Sequence, residues 1–142
     1  MANLTATAEI DIEAAAEQVW SALTDPAQIK KYLFGTEVET DWQPGSPILW
    51  KGEYEGRAFQ DKGEILEIEP NKLLKVTHFS PMSGQPDTPE NYHTVTYELE
   101  GRTGIVRLTL SQDNNGTEEE ARIASATWAT MLAGLKDTVE SV

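Results

Sequence analysis

The chain has 142 residues, enough for one domain with a core of its own. It has no cysteine, which excludes a disulfide framework and a thiolate zinc site. Asp and Glu number 24 against 11 Lys and Arg, a formal charge of −13 that repels phosphate backbones and anionic lipid, so neither nucleic acid nor a membrane is an expected partner.

Leu4–Ile12 alternates and reads as a first strand. The period then changes: across Ala14–Thr24, Ala16, Val19, Trp20 and Leu23 fall on one helical face, with Trp20 read as core. Asp25-Pro26 restarts the chain. Asp25 can cap a second short helix, and Pro26 suits its first position because no N–H is needed there. That helix ends near Tyr32-Leu33-Phe34-Gly35. Strands follow at Glu37–Asp41, Ser46–Tyr54, Arg57–Glu69, Leu73–Phe79, Tyr92–Glu100 and Ile105–Ser111, with turn signals at Pro44-Gly45, Glu55-Gly56, Pro70-Asn71 and Gly101–Gly104. Asn114-Asn115-Gly116 breaks the last strand. Thr117 and Glu120 form a capping-box pattern, and a final helix runs to about Glu140 with Ile123, Trp128, Met131, Leu132, Leu135 and Val139 as its apolar stripe. No apolar run nears the ~20 residues of a membrane span. Met1-Ala2-Asn3-Leu4 lacks the basic-then-apolar pattern of a secretory leader, so a cytoplasmic location is expected.

Parity tests the hairpins. With Leu99 facing Val106, Tyr97 faces Leu108 and Val95 faces Leu110. With Val76 facing Val95, Leu74 faces Tyr97 and His78 faces His93. All inward positions are then apolar or aromatic except the two histidines. Arg57–Glu69 keeps no single parity, since Phe59 is odd whereas Leu66 and Ile68 are even. A bulge near Gly63 reconciles them and bends the sheet. The fold class is α+β: a curved antiparallel sheet, two short helices and a long C-terminal helix, with residues 1–142 as one domain.

Four segments carry a resemblance. They are Val19–Pro26, Trp42–Ile48, Gly63–Pro70 followed by Leu74, and Trp128 followed by Leu132 and Leu135. In this order and spacing they resemble the homologues of the activator of heat-shock protein 90 ATPase, of the C-terminal-domain type. That family lies in the START-like, birch-pollen-allergen-like superfamily of helix-grip folds. The resemblance implies a hydrophobic cavity between sheet and long helix. Superfamily members include carriers, receptors, cyclases and hydroxylase subunits, so the fold does not choose the function. On its 142 residues, the additional N-terminal domain of eukaryotic chaperone activators is not expected.

Three functions stay open. The first is binding of a small hydrophobic molecule, with Tyr32, Trp50, Phe59, His78, His93, Tyr97, Trp128 and Met131 as ligand-binding candidates. The second is a chaperone-associated interaction domain with an acidic surface. The third is a cyclase- or hydrolase-like enzyme using His78, His93 or Asp61. Catalytic residues are not assigned. His78 and His93 could ligate a metal only with help, for example from Asp87 and Glu90. No standard ligand spacing is present, so neither metal nor cofactor is expected. The Ser80–Asn91 connection is long for a hairpin and reads either as a lid or as a passive surface loop.

Overall fold

A computed structural model describes residues 3–141. Met1 and Ala2, part of the segment tested above for a leader, lie outside the described residues, as does the side chain of Tyr54. The elements in chain order are β1 (Leu4–Ile12), α1 (Ala16–Thr24), α2 (Pro26–Tyr32), β2 (Glu37–Glu39), β3 (Pro47–Tyr54), β4 (Arg57–Glu69), β5 (Leu73–His78), β6 (His93–Arg102), β7 (Ile105–Asn115) and α3 (Glu118–Glu140). The strands form one seven-stranded sheet in the order β1-β7-β6-β5-β4-β3-β2, with every neighbouring pair antiparallel. The helices pack on one face of it, giving the expected α+β helix-grip architecture.

Local chemistry sets the helix ends. The Asp25 carboxylate accepts from the Ala27 N–H at 3.1 Å, and Pro26 opens α2. Thr117 Oγ1 accepts from the Glu120 N–H at 3.1 Å. The return arm of the expected capping box is displaced by one residue: Glu120 Oε2 accepts from Gly116 N at 2.9 Å. Met131, Leu132, Leu135 and Val139 form the buried stripe of α3. Ile123, expected in that stripe, is 52% exposed, because it lies in the helix's first turns, N-terminal to the buried stretch.

The β5–β6 register is the expected one, with Val76 facing Val95, Leu74 facing Tyr97 and His78 facing His93. The β6–β7 register differs by two residues. Tyr97 faces Leu110, Leu99 faces Leu108 and Val95 faces Gln112. The cause is a tighter turn: Arg102 pairs with Ile105, leaving Thr103-Gly104 as a two-residue connection, with Gly104 at φ 75°. A shift of two preserves parity, so the inward set is unchanged except that Gln112 joins it.

The bulge in β4 exists but lies beyond Gly63. Pairing slips between Ile65, opposite Val76, and Glu67, opposite Lys75, so Leu66 is the extra residue and is 38% exposed. Gly63 has another task. A Cβ on it would sit 1.8 Å from the Thr77 carbonyl oxygen, so glycine is what lets β4 and β5 approach there.

Candidate functional site

The inward face of the sheet and the middle of α3 do not meet completely. Between them is a hollow of about 220 Å³. Trp50 on β3 and Phe59 and Asp61 on β4 form one wall, Val76, His78, Val95 and Tyr97 on β5 and β6 form the floor, and Thr127, Trp128 and Met131 on α3 close it. Leu33, Phe34 and Thr36, from the segment after α2, stand at its rim. The walls are mostly apolar, and among the described residues no Lys or Arg contributes to them.

Several features hold these side chains. Gly52 pairs with Phe59, and a Cβ on Gly52 would lie 2.7 Å from Phe59 Cζ, so the ring occupies the space that glycine leaves. The Trp128 indole N–H donates to Gln112 Oε1, which orients the indole against the end of β7. Trp50 and His78 meet edge to face with centroids 5.0 Å apart. Phe34 is 74% exposed and has φ 55°, followed by Gly35 at φ 81°. This left-handed pair ends α2 and leaves an aromatic ring at the opening.

The one strongly polar part of the wall is Asp61 with His78. His78 Nε2 lies 2.9 Å from Asp61 Oδ2, and both side chains are mostly buried, at 29% and 16% exposure. Asp61 Oδ1 is buried and has no hydrogen-bond partner among the described residues. Burial pushes the Tyr97 phenol well above the usual tyrosine value, so its hydroxyl stays protonated.

Of the residues singled out from sequence, Trp50, Phe59, His78, Tyr97, Trp128 and Met131 border the hollow together. Tyr32 lies deeper. It is buried, its hydroxyl donates to Ala22 O at 2.8 Å, and desolvation, with Tyr97 nearby, raises its pKa well above normal. His93 shares a rung with His78, but its Nδ1 lies 2.8 Å from Asp113 O and it does not border the hollow. Asp87 is engaged by Lys62 and by the Tyr92 hydroxyl, the latter at 2.6 Å. Those contacts help hold the Ser80–Asn91 loop beside an open groove that includes Lys62, Thr77 and Pro89, and no residue of that loop borders the hollow. The rim residues Leu33, Phe34, Thr36 and Thr127 were not singled out. Their one sequence signal was an aromatic residue immediately before the glycine that ends α2.

A sheet curved around one long helix, with two short helices packed beside it, defines the class of helix-grip proteins. The family model described as activator of Hsp90 ATPase homolog 1-like protein matches residues 13–140, and the chain belongs to that family. Among solved structures, ChR145 from Cytophaga hutchinsonii is similar, with 48% identity, a TM-score of 0.86, and coverage of 97% of this chain and 94% of that one. The Aha1 dimer from Colwellia psychrerythraea is 24% identical with a TM-score of 0.72, covering 99% of this chain and 97% of that one. MLL2253 from Mesorhizobium loti is 22% identical with a TM-score of 0.75 and 98% coverage of both. At that identity the last two speak for the fold alone. A comparison with curated proteins returns no significant match. Among the described residues no helix is long and apolar enough to cross a membrane.

Proposed function

We propose that this chain is a single helix-grip domain of the cytoplasm that binds a small hydrophobic molecule between its sheet and α3. The observation that carries the reading is the aromatic hollow of about 220 Å³, bordered by Trp50, Phe59, Tyr97, Trp128 and Met131. Apolar walls with a few placed polar groups are the usual form of a small-molecule site. The volume is small by that standard, where pockets run to roughly 300–1,000 Å³, and it suits an occupant of one or two fused rings. The exposed Phe34 ring supplies further apolar surface at the opening.

Trp50 and Trp128 stand on the wall, so their emission reports occupancy. Titration with a two-ring aromatic probe should shift tryptophan emission with saturation in the micromolar range. Native mass spectrometry should find the same stoichiometric complex. Unchanged emission together with no bound mass refutes the reading. A second reading, acid–base chemistry on the bound molecule, has one observation in its favour: the Asp61–His78 contact faces the hollow. Chemical change of the bound probe, lost in His78→Gln, would separate catalysis from carriage.

A further inference from the structure

The polar groups of the hollow differ in what they ask of an occupant. Thr127 Oγ1 donates to Ile123 O at 3.0 Å, and the Trp128 N–H is used by Gln112. Those two donors are committed within the protein, whereas the Tyr97 hydroxyl and Thr36 Oγ1, on the floor and rim, can also donate to an occupant. The carboxylate of Asp61 is an acceptor on both oxygens when ionised. Oδ2 is met by His78 Nε2, whereas Oδ1 is buried without a partner. When Nε2–H donates to Asp61, the other ring nitrogen of His78 is left with a lone pair. With His78 neutral, the polar wall formed by β4 and β5 therefore presents acceptors, and among the described residues no Lys or Arg lines the hollow.

A buried acceptor that finds no partner within the protein is costly to leave unmet. An occupant that brings an O–H or N–H removes that cost. Asp61 lines the hollow, and the terminal torsion of an aspartate is broad and roughly two-fold, so its carboxylate can reorient toward a donor brought there. An occupant that brings a carboxylate sets a like charge beside an ionised Asp61, and the two repel.

We propose that the hollow selects aromatic molecules carrying a hydrogen-bond donor, a hydroxyl or amine directed at Asp61 and His78, and discriminates against aromatic carboxylates. This rests on the small-molecule reading above and deepens it.

Three probes of similar size separate the terms: 2-naphthol has the donor, 2-methoxynaphthalene keeps the oxygen without the donor, and 2-naphthoate is the anion. Affinities are measured by calorimetry at neutral pH on the full chain and on Asp61→Leu and Asp61→Asn. In the parent protein 2-naphthol should bind about ten-fold more tightly than 2-methoxynaphthalene, and 2-naphthoate the most weakly. Asp61→Leu should retain 2-methoxynaphthalene binding, which certifies an intact pocket, while the naphthol preference falls several-fold. The comparison of ratios cancels the extra methyl group. Asp61→Asn removes the charge, and its 2-naphthoate affinity should rise about ten-fold. Equal binding of naphthol and its ether by the parent, or a naphthol preference unchanged in Asp61→Leu, overturns the inference and leaves the small-molecule reading standing. Binding of none of the probes overturns both.

Discussion

Gly63→Ala concentrates the strain of this fold on one contact. A Cβ at position 63 would stand 1.8 Å from Thr77 O, 2.6 Å from Thr77 C and 3.3 Å from His78 N. A carbon and a carbonyl oxygen approach no closer than about 3.3 Å in ordinary contact. All three neighbours are backbone, so no rotamer change relieves the clash, and β5 has to withdraw by roughly 1.5 Å. Three hydrogen bonds hold β4 to β5 there: Lys62 N to Phe79 O at 3.0 Å, Phe79 N to Lys62 O at 2.8 Å, and Glu64 N to Thr77 Oγ1 at 2.9 Å. At a net ~1 kcal/mol each, their loss costs about 3 kcal/mol. Alanine returns about 0.4–1 kcal/mol by restricting the unfolded chain. The net destabilisation is about 2 kcal/mol, which lowers Tm by about 4–8 °C for a chain of this size. Urea unfolding should show a lower midpoint with an unchanged slope, since the surface exposed on unfolding is nearly the same. A midpoint equal to that of the parent would refute the reasoning, because it would mean that β4 and β5 separate there without loss.

Two other outcomes follow from neighbouring geometry. Gly52→Ala places its methyl 2.7 Å from Phe59 Cζ, the far end of a movable side chain. The ring should turn into the hollow, lowering affinity for 2-naphthol about ten-fold at a stability cost of roughly 1 kcal/mol or less; unchanged affinity measured by calorimetry would count against the placement of Phe59 in the wall. At high pH, Tyr32 and Tyr97 have folded-state pKa values raised by desolvation above the ordinary 10.0. The unfolded state therefore loses these protons first, and the stability they contribute is complete below pH 10.0 and declines as pH rises above it. Their phenolate absorption should appear together with loss of far-UV circular dichroism, and the Tyr97→Phe variant should show a smaller absorbance step. Ionisation of both with the dichroism intact would show that they are not buried as described.

Much of this fold was legible in local pattern, because local pattern follows local causes. Asp25-Pro26 splits the two short helices through one side-chain cap and one missing N–H. Alternation in Leu73–His78 and His93–Arg102 assigns the inward face, and the long loop between them still delivers His78 opposite His93. The same alternation turns Tyr97 inward, and Trp50, Phe59, Trp128 and Met131, read from sequence as pocket or core, border the hollow with it.

Tertiary structure decided what periodicity leaves degenerate. A two-residue slip of β6 against β7 conserves parity, so alternation cannot distinguish Leu108 from Leu110 opposite Tyr97; the tight Thr103-Gly104 turn does. The mixed parity of β4 demands a bulge but does not locate it. Its position at Leu66 follows from pairing with β5, while Gly63 serves close backbone approach. The partnership of Asp61 with His78 joins residues on different strands and depends on the curvature and register that bring those strands together. The hollow itself is the volume that side chains from several elements fail to fill, a property of their joint packing that no single segment of sequence contains.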